Sequence, residues 1–153
     1  MGHVRLTGHV EAPIERVFEM AARADRIPEY NPMMVEVTDV SGPLDQVGAH
    51  FRAVMRVGGR RIEGEMKLSL VERPTLITLT GTAPGGGRLT WSRRFTPAGT
   101  GTSSVVELDY ELPGGLIGGV ADRLFFEKAI EREARHSLEN FNEIVAAEAL
   151  QPA

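Results

Sequence analysis

Arg93 is the residue whose surroundings point most directly to chemistry. The segment around it alternates apolar and polar side chains with the two-residue period of a strand, so Arg93 shares one face with Trp91 and Phe95. An arginine on the dry face of a sheet needs a carboxylate from the protein or from an acidic ligand, because an unpaired buried charge is costly. The alternative is that a bulge or a strand end lets the guanidinium reach water.

A second pair of charged residues, Arg123 and Glu127, lies in the apolar stripe predicted for a C-terminal helix. At 100° per residue both fall near the direction of Ile130, and their i, i+4 spacing permits an ion pair. Such a pair either caps the core at the rim of a cavity or faces the cavity, where it can orient a ligand or move a proton. The sequence leaves both interpretations open.

Tyr110 and two methionines complete the set of candidates. Tyr110 shares a predicted strand face with Val106 and Leu108, and a buried phenol normally finds a hydrogen-bond partner in the protein or in a ligand. Met55 and Met66 are predicted on adjacent dry faces, where methionine fills cores but also suits pockets for varied apolar ligands. The candidate catalytic residues are Glu127, Tyr110 and Arg93. The expected ligand-binding residues are Tyr30, Phe51, Met55, Met66, Trp91, Arg93, Tyr110, Arg123 and Glu127.

The sequence contains none of the common motifs for metals, phosphates or activated nucleophiles. It has no cysteine, and its four histidines have no metal-ligand spacing such as His-Glu-x-x-His. The run Gly85-Gly86-Gly87 lacks the lysine and the helix of a phosphate loop, and no Gly-x-Ser-x-Gly elbow occurs. We therefore expect neither a metal site nor a cofactor.

The composition is that of an ordinary globular chain. Its 153 residues, 42% hydrophobic and 25% charged, fit a single domain over residues 1–153. The net charge of −4 argues against a dedicated nucleic-acid binder, and no apolar run reaches the length of a membrane span. The lack of cysteine is compatible with a reducing compartment, and we expect a cytoplasmic location.

The charge is unevenly distributed. Residues 51–95 contain nine Lys or Arg against three Asp or Glu, a local charge of +6. The simpler interpretation is that these side chains fill the wet faces of strands. The alternative is a basic sheet region that meets an anionic ligand, a lipid surface or a partner.

The order of predicted elements gives the fold class. A first strand at about 4–10 precedes two short helices, one opened by Pro13 and the other ended before Pro32. Proline is absent and glycine sparse from about 116 to 149, which predicts one long helix. Short connections require antiparallel pairing of neighbouring strands. The six further strands are predicted at 34–40, 49–58, 60–72, 75–82, 87–96 and 103–112.

This arrangement resembles the START-like superfamily, SRPBCC group, in its polyketide cyclase/dehydrase and lipid-transport branch. The similarity lies in three segments, which run from Val10 to Phe18, from Ile27 to Pro32 and from Tyr110 to Gly118. The third segment leads into a helix that contains the run from Ser137 to Phe141. The resemblance spans about residues 4–148. It implies an α+β helix-grip fold, in which a seven-stranded antiparallel sheet curves around the long C-terminal helix with two short helices after the first strand. Members of this superfamily bind lipids, quinones or polyketides, and only some are enzymes.

Three hypotheses for the function stay open. The first is binding of a hydrophobic small molecule in a cavity between the sheet and the C-terminal helix. The second is a cyclase or dehydratase that uses acid–base residues in that cavity. The third is an interaction module based on the basic middle strands. An exposed strand edge also suggests a homodimer as a candidate assembly.

Overall fold

A computed structural model describes residues 2–151 and confirms the helix-grip fold expected from the sequence. One sheet and one long helix enclose the core, and two short helices close one end of it. The strands are β1 (Gly2–Val10), β2 (Met34–Thr38), β3 (His50–Val57), β4 (Arg60–Glu72), β5 (Leu76–Ala83), β6 (Gly87–Ala98) and β7 (Gly101–Glu111). The helices are α1 (Ile14–Ala21), α2 (Ile27–Tyr30) and α3 (Val120–Ala149), with a single 3-10 turn (Ala24–Arg26) before α2.

The seven strands pair antiparallel throughout, in the order β1-β7-β6-β5-β4-β3-β2. The tight β3–β4 hairpin illustrates why consecutive strands are neighbours. Gly58 and Gly59 have φ angles of +54° and +79°, the left-handed values that a two-residue turn requires and that glycine adopts without steric cost. A side chain at Gly58 would also collide with Phe126, so this turn lies directly against α3.

Helix α3 contains 30 residues, which corresponds to a length of about 45 Å, enough to cross the sheet. Its buried positions recur three and four residues apart and face the sheet, as the sequence pattern predicts. The helix begins at Val120 and not near Leu116, because Gly118 and Gly119 precede it and glycine disfavours helical backbone. Its buried side chains are Phe126, Ala129, Ile130, Ala134, Ser137, Phe141 and Val145.

The short helices are fastened to the C-terminal half of α3. The guanidinium of Arg26 donates to Glu29 at 2.8 and 2.9 Å and to Glu148 at 2.6 and 2.9 Å, which joins α2 to the end of α3. The Asn140 side-chain amide donates to the Tyr30 carbonyl at 3.1 Å. Within residues 2–151, no helix has the length and apolar character needed to cross a membrane.

Candidate functional site

The sheet and α3 enclose a cavity of about 110 Å³, on a measure in which one water molecule needs about 10–15 Å³. Most of the residues that line it are apolar, and they come from β3 to β7, from α3 and from the segment that ends α2. The cavity opens to solvent. Its size and lining suit a small organic molecule more than a cluster of waters.

The strand register gives the cavity a mouth and a closed end. Near the mouth, Leu89 of β6 lies opposite Gly81 and Tyr110, and Thr82 and Arg88 form an exposed rim. Four residues further along β6, Arg93 lies opposite Ile77 and Val106 at the end covered by α1 and α2. At the rise of an extended chain, the path from Leu89 to Arg93 is about 13 Å.

Arg93 is the charged residue at the closed end, and its side chain is only 3% exposed. It donates to the Tyr30 hydroxyl at 2.9 Å and to the Ala21 carbonyl at 3.1 Å. The centre of its guanidinium lies 4.1 Å from the Trp91 ring and 5.8 Å from the Phe141 ring. Two hydrogen bonds and two aromatic faces therefore fix the orientation of this side chain.

No carboxylate within residues 2–151 pairs with Arg93 at 4.0 Å or closer. Its Nε and the Ser104 hydroxyl are both buried and have no hydrogen-bond partner in the described chain. Ser104 lies opposite Phe95 and Arg93 opposite Val106, so Arg93 and Ser104 are diagonal neighbours on one face of the sheet. The closed end thus contains unused polar groups and an unneutralised positive charge.

Tyr30 connects this polar end to α3. Its ring packs edge-on against Phe141, with 5.0 Å between ring centroids and 78° between planes. Its hydroxyl accepts the hydrogen bond from Arg93, which leaves the phenolic proton to be donated elsewhere. Tyr30 is therefore placed as a donor at the closed end of the cavity.

Tyr110 lies toward the mouth and is 9% exposed. Burial raises the pKa of its phenol to about 12, and the negative charges of Glu127 and Glu131 add to the increase. At neutral pH the phenol therefore stays protonated, so that it can donate a hydrogen bond but is a poor general base.

The structure brings six of the nine residues expected at a ligand site into the cavity lining and leaves three outside it. The three outside are Phe51, which is buried in the core, Arg123, which is exposed, and Glu127, which is half-buried. Arg123 lies in an exposed first segment of α3, where Val120 is 78% and Leu124 52% exposed. The position of Arg123 on the apolar side of an ideal helix did not predict burial, because α3 packs on the sheet only from Phe126 onward. The six lining residues are Tyr30, Met55, Met66, Trp91, Arg93 and Tyr110.

Several lining residues were not singled out from the sequence, and Ser104 is the most important of them. The alternation of β7 places Ser104 on the same face as Val106, Leu108 and Tyr110. The two-residue period of the strand could therefore have predicted that Ser104 faces the cavity. Asn31, for which the sequence allows either an entrance position or a role in the turn before Pro32, does line the cavity, and its side-chain oxygen accepts a hydrogen bond from the Met33 backbone at 3.0 Å. Asn31 therefore shapes the chain after α2.

The basic middle strands place their charges mainly on the outer, solvent-facing side of the sheet. Exposed Arg52 pairs with Glu65 at 2.7 Å, and exposed Arg61 lies 3.4 Å from Glu63. These contacts support the interpretation of the basic residues as the wet face of strands. Over residues 2–151, no three His, Asp or Glu side chains are grouped so that they could hold a metal ion.

Solved structures similar to this chain have the same fold. TTHA0849 from Thermus thermophilus is 24% identical, with a TM-score of 0.76 over 96% of this chain and 99% of that one. CV1439 from Chromobacterium violaceum is 14% identical, with a TM-score of 0.73 and coverage of 95% and 97%. The Zhui aromatase/cyclase from Streptomyces sp. R1128 is 21% identical, with a TM-score of 0.71 and coverage of 94% and 92%.

At these identities the structural similarity establishes the fold and not the activity. No curated protein matches this sequence. A family model does match, over residues 1–146 and therefore over nearly the whole chain. The chain belongs to the family described as polyketide cyclase/dehydrase and lipid transport.

Proposed function

We propose that this protein binds a hydrophobic small molecule, such as a lipid, polyketide or quinone, in the cavity between the sheet and α3. The observation that carries the proposal is the cavity of about 110 Å³ with its apolar lining and its opening to solvent. Apolar surface around an open space favours a ligand that removes it from water. The description of the family, which combines lipid transport with polyketide chemistry, supports the same class of ligand.

The sequence keeps this space open by placing small residues on the cavity walls. Gly64 and Gly81 stand on β4 and β5, and Ala134 lies on α3. Even a Cβ atom would collide with the Thr82 carbonyl oxygen at Gly64 and with the Met66 sulfur at Gly81, so the strands leave no room for a side chain there. A larger side chain at Ala134 would extend into the gap between helix and sheet. Met55 and Met66 contribute flexible apolar surface that can adjust to the shape of a ligand.

An enzyme of the cyclase or dehydratase kind is a second candidate, favoured by the polar pair at the closed end. Arg93 and Tyr30 can both donate hydrogen bonds to a carbonyl oxygen and stabilise the negative charge that develops on it. A suitable base is harder to find. Of the described residues, the only carboxylate in the lining is Glu111 near the mouth, 3.3 Å from Arg88. Glu127 lies outside the lining, and we therefore favour binding over catalysis.

A cavity-filling variant tests the binding proposal. Ala134→Phe places a ring in the cavity, whereas Ala147→Phe places the same ring on the exposed side of the same helix. We expect the apolar dye N-phenyl-1-naphthylamine to fluoresce with the unmodified protein and with Ala147→Phe, and to lose at least about tenfold in affinity for Ala134→Phe. Equal dye affinity in all three proteins, with circular dichroism unchanged, would exclude the cavity as the binding site.

The finer expectations about partners stay predictions. A homodimer could form through the edges of β1 or β2, which have no neighbour on one side of the sheet among residues 2–151. Sedimentation velocity tests it, and a monomer at all concentrations argues against it. A cytoplasmic location and the absence of nucleic-acid binding also stay predictions. If the basic strands bind an anionic partner, the affinity for that partner should fall strongly as the salt concentration rises.

A further inference from the structure

We propose that the ligand is an organic monoacid whose carboxylate binds Arg93 at the closed end of the cavity, with its apolar part directed toward the mouth. This inference rests on the proposed binding function and adds the class and the orientation of the ligand. It is drawn from the charge, the hydrogen bonds and the register of the residues at the closed end.

Arg93 carries a positive charge that no carboxylate of the described chain neutralises. A guanidinium remains protonated at all ordinary pH values, so burial cannot make it neutral. Arg93 is 3% exposed, and its hydrogen bonds in the described chain go to uncharged oxygens of Tyr30 and Ala21. The aromatic faces of Trp91 and Phe141 attract the cation but do not neutralise it. An anion that enters the cavity supplies the missing opposite charge.

The closed end also has more hydrogen-bond donors than the described chain uses. Two of the five N–H groups of Arg93 are used by the bonds to Tyr30 and Ala21. The Nε of Arg93 and the Ser104 hydroxyl are buried with no partner among the described residues, although most buried polar groups in proteins are satisfied. The Tyr30 hydroxyl keeps its proton to donate. These groups supply donors, and a carboxylate has two oxygens that only accept.

The charge that lacks a partner lies at the closed end of the cavity and not near its mouth. The closed end contains Arg93, Ser104 and Tyr30. Toward the mouth, Leu89 and Met55 are apolar, and the phenol of Tyr110, opposite Leu89, is uncharged. At the rim, Arg88 already lies 3.3 Å from Glu111, so that cation has a partner before any ligand arrives. About 13 Å of extended strand separates Leu89 from Arg93, which leaves room for an apolar chain behind the acid group.

A single cation also favours a single negative charge on the ligand. A carboxylate balances the guanidinium, whereas a phosphate monoester carries close to two charges at neutral pH and would bury one of them without a partner. The two acid groups are therefore distinguishable by the same protein. We expect a carboxylic acid to bind more tightly than a phosphate with the same chain.

The test compares decanoic acid with 1-decanol, which have equally long chains, as displacers of N-phenyl-1-naphthylamine at pH 7.5. We expect the unmodified protein to prefer the acid by at least about tenfold, the usual scale for a charge-assisted hydrogen bond. In Arg93→Met, which keeps the length of the side chain, the acid should lose at least about tenfold in affinity. The affinity for 1-decanol should stay within about twofold, since its contacts are mainly apolar and its hydroxyl carries no charge.

Two further measurements keep the test decisive if Arg93→Met folds poorly. Ser104→Ala removes only a hydroxyl that has no partner in the described part of the chain. We expect it to weaken the binding of decanoic acid about threefold or more and to leave the affinity for 1-decanol unchanged. In ¹H–¹⁵N spectra of the unmodified protein, the Arg93 Nε–H resonance should shift when decanoic acid is added. It should not shift in the same way with 1-decanol.

The outcomes separate this inference from the proposed function. Equal affinity of the unmodified protein for decanoic acid and 1-decanol would overturn the inference and leave apolar binding intact. Tighter binding of decyl phosphate than of decanoic acid would overturn the assignment of a monoacid. Failure of the dye and of both decyl compounds to bind would overturn the proposed function, and the inference with it.

Discussion

The ring of Trp91 lies 4.1 Å from the guanidinium of Arg93, and Arg93 follows Trp91 by two residues on the same face of β6. The strand period places both side chains on the inner side of β6, and the Tyr30 hydroxyl accepts from the same guanidinium at 2.9 Å. An indole face holds a planar cation in place without neutralising it. The closed end of the cavity is thus built around an arginine that is fixed in position and still positively charged.

The intrinsic fluorescence of the protein should report occupancy of the cavity. Trp91 is the only tryptophan in the sequence, and it lines the cavity. We expect N-phenyl-1-naphthylamine to quench the Trp91 emission in a saturable way. Ala134→Phe should abolish this quenching at the same dye concentration, and Ala147→Phe should preserve it. A quenching curve that is linear and identical in all three proteins would show that the dye does not occupy the cavity.

Removing the Tyr30 hydroxyl should destabilise the fold. In Tyr30→Phe, Arg93 loses the acceptor of one of its two hydrogen bonds within the described chain. Loss of a buried acceptor of this kind costs about 1–3 kcal/mol, measurable as a lower free energy of unfolding in urea. Tyr110→Phe serves as a control because it removes a phenol hydroxyl elsewhere in the cavity. If both variants are as stable as the unmodified protein, Arg93 does not depend on Tyr30.

Stability should fall in acid because of the ion pairs that join α2 to α3. Hydrogen bonds from Arg26 lower the pKa values of Glu148 and Glu29 below their ordinary 4.5. The unfolded chain therefore takes up protons first, and the stabilisation, complete above pH 4.5, is lost as the pH falls through the folded-state values.

A glutamine substitution on α3 tests this pH dependence. Glu148→Gln removes the titrating group, so its unfolding free energy should vary less with pH below 4.5 than that of the unmodified protein. Glu139→Gln, on an exposed position of the same helix, is the matched control and should follow the unmodified protein. If the unfolding free energies of the protein and of Glu148→Gln fall in parallel below pH 4.5, the ion pair of Glu148 does not contribute to the loss of stability in acid.

At alkaline pH the stability should fall as the pH rises, because burial raises the pKa of Tyr110 from 10.0 to about 12. The unfolded chain then loses its proton first, so the contribution of Tyr110 is complete below pH 10 and is lost as the pH rises toward 12. Tyr110→Phe should flatten the decrease in unfolding free energy over this range. An unchanged slope in the variant would mean that the phenol is not shielded from water.

Much of this architecture could be predicted from periodicity. The alternation of residues 60–72 matches β4, and the inward position of Arg93 follows from its strand neighbours alone. Small differences occur at strand ends, where β2 stops at Thr38 and β7 begins at Gly101. Hydrogen bonding to a neighbouring strand sets those ends, and a single segment of sequence contains no information about its neighbour.

The contacts at the closed end could not be predicted in the same way. Arg93 reaches Tyr30 across 63 residues of sequence, and this pairing depends on how the short helices dock on the sheet. The angles of an ideal helix also could not show that the first segment of α3 is exposed, and this exposure leaves Arg123 outside the lining. Glu127 follows Phe126, the first buried residue of the helix, and is half-buried outside the lining. Local pattern gives the face of an element, whereas the neighbours that cover that face are a property of the tertiary fold.

Native mass spectrometry of the protein purified from its own host, with Ala134→Phe prepared in parallel, tests the central claim most directly. We expect a population of the unmodified protein heavier than the bare chain by the mass of one apolar organic acid, which denaturation releases and Ala134→Phe lacks. The same mass for both proteins after correction for the substitution, with nothing released on denaturation, would contradict a ligand-binding cavity between the sheet and α3.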